Sequence, residues 1–62
     1  MSYLSDFLRE AERIADHHGK QKQFKAAYER AREQRGVEDS TIIAMEEIGL
    51  LNYLPWIPHA KS

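Results

Sequence analysis

Sixty-two residues, with no cysteine, 42% apolar and 31% charged side chains, suffice for one small globular domain and exclude disulfide staples, thiolate metal sites and thiol catalysis. A chain of this length buries only about 60% of the surface its unfolded form exposes, and its core rarely supplies more than ~3–5 kcal/mol. Self-association or a bound partner is therefore a natural source of further stability, and the formal net charge of −1 gives no overall pull toward nucleic acid or an anionic membrane.

The first predicted element is an amphipathic helix over residues 3–18. Leu4, Phe7, Leu8, Ala11, Ile14 and Ala15 recur at steps of three and four, which places them on one face with His18. Ser2 or Ser5 offers an oxygen to the free amides of the first turn, and Asp6 sits where the helix dipole favours negative charge. Gly19 suits the left-handed conformation that ends a helix, and His17 and His18 before it suit the negative end. A second helix is predicted over 21–35, with a narrow stripe of Phe24, Ala27, Tyr28 and Ala31. Glu29 with Arg32, and Arg30 with Glu33, add about a few tenths of a kcal/mol each on its outer face. Arg35 and Gly36 read as its stop signals.

Val37-Glu38-Asp39-Ser40 then reads as a turn, with Asp39 or Ser40 as the N-cap of a third helix from Thr41 to Ile48. Ile42, Ile43, Met45 and Ile48 are its apolar residues, and Glu46 and Glu47 are its solvent face. Gly49 ends or kinks it. Leu50–Leu54 is expected to add one helical turn, which Pro55 stops because proline disfavours helical geometry at the residue before it. The expected fold is all-α: one small three-helix domain over residues 1–62, its first two helices an antiparallel hairpin crossed by the short third, with an apolar tail flanked by Pro55 and Pro58. Its expected core is Leu4, Phe7, Leu8, Ala11, Ile14, Phe24, Ala27, Tyr28, Ala31, Ile42, Met45 and Ile48.

Charge is segregated along the chain. Residues 1–19 carry Asp6, Glu10, Glu12 and Asp16 against Arg9 and Arg13, a net −2. Residues 20–36 carry Lys20, Lys22, Lys25, Arg30, Arg32 and Arg35 against Glu29 and Glu33, a net +4. Residues 37–62 carry Glu38, Asp39, Glu46 and Glu47 against Lys61, a net −3. Neighbouring helices that complement one another's charge explain this pattern; a basic face kept for an acidic partner is the other explanation.

Little in the sequence points to catalysis. Asp16, His17 and His18 look metal-like, yet adjacent helical residues point about 100° apart, and the three- or four-residue spacing of a helical chelating pair is absent. His59 has no fixed companion, so neither a metal nor a cofactor is expected. Ser2, Ser5, Ser40 and Ser62 lie at termini or caps, none in the strained glycine-flanked turn that activates a serine nucleophile. Glu46 and Glu47 lack a cleft to separate their acidities. No glycine-rich phosphate loop is present. The chain is not expected to be an enzyme.

Binding functions remain. The second helix, a turn and the third helix outline a helix-turn-helix, but the helix that would enter the major groove carries acidic residues and no lysine or arginine, and base and phosphate contacts need such donors. The basic second helix, with Tyr28 available for stacking, keeps nucleic acid as an alternative partner. Tyr53, Leu54, Trp56 and Ile57 concentrate large apolar area, each worth roughly 1.5–3 kcal/mol when buried. This segment either covers the helices or docks on a partner, for which tryptophan and tyrosine are favoured anchors.

The function expected is a small non-catalytic interaction module, an accessory or inhibitory regulator. It would dock on a larger protein, or on its own copy as a homo-oligomer, through Tyr53, Leu54, Trp56 and Ile57 and through Lys22, Lys25, Arg30 and Arg32. A cytoplasmic location is expected, because no segment approaches the ~20 apolar residues of a membrane helix and the start lacks a signal-peptide pattern. Membrane-surface binding is not expected, since the tail's surroundings are acidic.

Overall fold

The spacing of Phe7, Ala11, Ile14 and Ala15 folds as α1, Tyr3–His17, and buries all four residues. The structure is a computed structural model that describes residues 3–54, with side chains from Asp6 onward. It adds α2 (Gln21–Arg32), α3 (Val37–Glu47) and a single 3-10 turn (Leu51–Tyr53), and contains no strand among the described residues. The fold is the expected all-α arrangement of three helices. α3 packs on both other helices, most extensively on α2, and carries the 3-10 turn at its end. The tail from Pro55 onward, including Trp56 and Ile57, lies outside the described residues, as does the side chain of Leu4.

Glycine ends two of the helices by the same device. Gly19 takes φ +72° and Gly49 φ +77°, a left-handed conformation that costs other residues about 1–2 kcal/mol. At the first, the Gly19 amide donates to the Asp16 carbonyl (3.0 Å) and the Lys20 amide to the Ala15 carbonyl (2.8 Å). At the second, Gly49 donates to Glu46 (3.1 Å) and Leu50 to Met45 (2.9 Å). Each pair satisfies carbonyls that the helix end would otherwise leave open. At Gly49 the apolar contact that accompanies this motif is present too, since Leu50 and Met45 belong to one buried cluster.

The junction between α2 and α3 differs from the sequence expectation. α2 stops at Arg32 rather than at residue 35, and Gly36 is not its stop but the N-cap of α3, with φ −80° and ψ −175°. α3 therefore starts four residues earlier than expected. Ser40 donates its amide to the Gly36 carbonyl (3.0 Å) and Thr41 its hydroxyl to the Val37 carbonyl (2.7 Å). Glu38 and Asp39 occupy the first turn, where the helix dipole favours them. Asp39 and Ser40 are thus interior helix residues and not caps.

That shift changes which residues face inward. Ser40, Thr41, Ala44 and Met45 are fully buried, whereas Ile42 and Ile43 sit half-buried on the two flanks. The centre of the fold consists largely of small residues: Ala11, Ala15, Ala27, Ala31 and Ala44 supply close contact, and Phe7, Phe24, Ile14, Met45 and Leu50 supply the bulk. Leu8, Tyr28, Ile48, Leu51 and Leu54 pack partly buried against the main cluster of this core, which leaves out Phe7 and Ala31. Alanine lets helices approach closely at little entropic cost, but each one removes little apolar area from water.

Candidate functional site

The 3-10 turn that follows Gly49 positions the first candidate surface. Leu50 is buried and anchors the turn, and Leu51 and Leu54 pack against the core, so Asn52 and Tyr53 are turned outward. Tyr53 is 58% exposed and is the one large hydrophobic side chain so exposed among the described residues. Its ring meets the His18 ring edge-on, with centroids 4.6 Å apart and planes at 64°. His18 is itself held, because its Nδ1–H donates to the Ile14 carbonyl at 2.9 Å. That bond leaves Nε2 as the ring's remaining polar atom. His17 stands edge-on to His18 at 5.5 Å.

These rings border an open groove of about 400 Å³, lined by Glu10, Arg13, Ile14, His17, His18 and Tyr53. Arg13 reaches Glu10 with two bonds, Nε to Oε1 at 3.2 Å and the terminal nitrogen to Oε2. The hydrogen bond from Arg13 holds the Glu10 carboxyl below its ordinary range, and the same bond raises Arg13. Both shifts favour the charged forms.

The second candidate surface is α2. Lys22 and Lys25 are exposed and have no ion-pair or hydrogen-bond partner among the described residues. Arg32 is on the same face and donates to the Arg35 carbonyl at 3.1 Å. Glu29 falls between these cations on that face, at the four-residue spacing from Lys25 and the three-residue spacing to Arg32.

Arg30 lies round the helix and is committed elsewhere: it reaches Glu47 of α3 at 2.6 Å. That ion pair is the charge complementarity between neighbouring helices that the segregated sequence allowed. Arg30 and Glu47 line a further open groove of about 350 Å³ with Lys20, Gln23, Ala26 and Ile48. The structure thus brings Lys22, Lys25 and Arg32 together and separates Arg30 from them. Tyr53 and Leu54 adjoin at the other site, one outward and one inward.

Two contacts that position these surfaces carry no sequence signal. Lys20 donates Nζ to the Ile48 carbonyl at 3.3 Å, across 28 residues, and so ties the α1–α2 turn to the end of α3. The His18–Tyr53 contact likewise joins the end of α1 to the 3-10 turn. Among the described residues no group of three or more metal-binding side chains is gathered, and no helix is long and apolar enough to cross a membrane. No family model matches the chain, and neither a curated protein nor a solved structure shows significant similarity to it.

Proposed function

We propose that this protein is a non-catalytic docking module, an accessory or inhibitory regulator that binds a larger protein or a second copy of itself through the surface centred on Tyr53. The observation that carries this reading is the exposure of the Tyr53 ring, the one large hydrophobic side chain so exposed among the described residues. Tyrosine is a favoured interface anchor, since it offers large apolar area and a hydroxyl with few torsions to fix. Here the ring is already held against His18, which lowers the entropy lost on docking. Leu54 adjoins it, and Trp56 and Ile57, which lie outside the described residues, extend the apolar segment in sequence. Arg13, fixed by Glu10 at the rim, offers remaining guanidinium donors in a set orientation.

The Glu10–Arg13 pair keeps both side chains charged at the rim of this surface. We place the protein in the cytoplasm on the strength of its cysteine-free sequence, which suits a reducing compartment. Nucleic acid is the second reading, supported by unpaired Lys22 and Lys25 with Arg32 beside them. It is the weaker one, because Glu29 interrupts that face and Glu47 neutralises Arg30.

The test is affinity capture from the source cell with an N-terminal tag, comparing the parent with Tyr53→Ala, with and without nuclease. One stoichiometric protein should survive nuclease with the parent and be lost with the variant, while the helical circular dichroism of both stays the same. Equal recovery by the variant would refute the Tyr53 anchor. Recovery that collapses with nuclease would move the site to α2.

A further inference from the structure

We draw no further inference here: the strongest candidate, the groove between the C-terminal turn of α1 and the 3-10 turn, walled by His17, His18 and Tyr53, belongs to the surface already assigned to docking, and nothing in the structure shows the chemistry of what covers it.

Discussion

Replacing Ser40 by alanine tests the packing on the buried face of α3. Ser40 is 0% exposed, and its hydroxyl oxygen has no hydrogen-bond partner among the described residues. A buried polar group left unpaired costs about 1–3 kcal/mol, and alanine is the better helix former by roughly half a kcal/mol. The small hole left by one oxygen takes back a few tenths, at about 24 cal/mol per Å³. Ser40→Ala should therefore stabilise the protein by about 1–3 kcal/mol. In a domain of this size each kcal/mol moves the midpoint by about 4–8 °C, so thermal unfolding followed by circular dichroism resolves the change easily. The neighbouring Thr41 supplies the control. It is equally buried, but its hydroxyl donates to the Val37 carbonyl at 2.7 Å, so Thr41→Val should lower stability by about 1 kcal/mol. Opposite signs at adjacent positions are the expected result. A lower midpoint for Ser40→Ala would refute the reasoning, since it would mean that the hydroxyl makes a bond worth more than its burial costs.

Other consequences are open to simpler measurements. Gly49→Ala meets no neighbouring atom within 4 Å, so its whole effect is the positive φ of +77°; a loss of about 1–2 kcal/mol in urea unfolding is expected, and an unchanged midpoint would contradict the left-handed helix end. Glu10 titrates below its ordinary value of 4.5 because Arg13 binds its ionised form. Its pairing therefore stabilises the fold above that ordinary value and fades as pH falls through the lowered one. Glu10→Gln should differ from the parent at neutral pH and converge with it in acid; a difference that persisted in acid would argue against the pair.

α1 was legible because Phe7, Ala11, Ile14 and Ala15 are regularly spaced and the helix is followed by Gly19, and the structure uses both features. The start of α3 was not. Asp39 and Ser40 are good N-cap residue types, yet the cap is Gly36, which offers no side-chain oxygen to announce itself. Bulk misled in the same stretch: the isoleucines at 42 and 43 look like core, but Ser40, Thr41, Ala44 and Met45 take the centre and the two isoleucines are left half-buried. At the candidate sites, composition marked Tyr53 and the basic α2. It did not show that Arg30 would be spent on Glu47, because that pairing depends on how α2 and α3 lie together.

The two glycine-ended helices also bear on how quickly the chain finds its fold. Each stop is written within six consecutive residues, Ala15–Lys20 and Met45–Leu50, so the places where the chain changes direction are set before distant segments meet. Little loop-closure entropy then opposes the search, and helical proteins dominated by local contacts fold in microseconds to milliseconds. A chain built this way is expected to refold on that microsecond-to-millisecond scale, which a rapid-mixing refolding measurement checks.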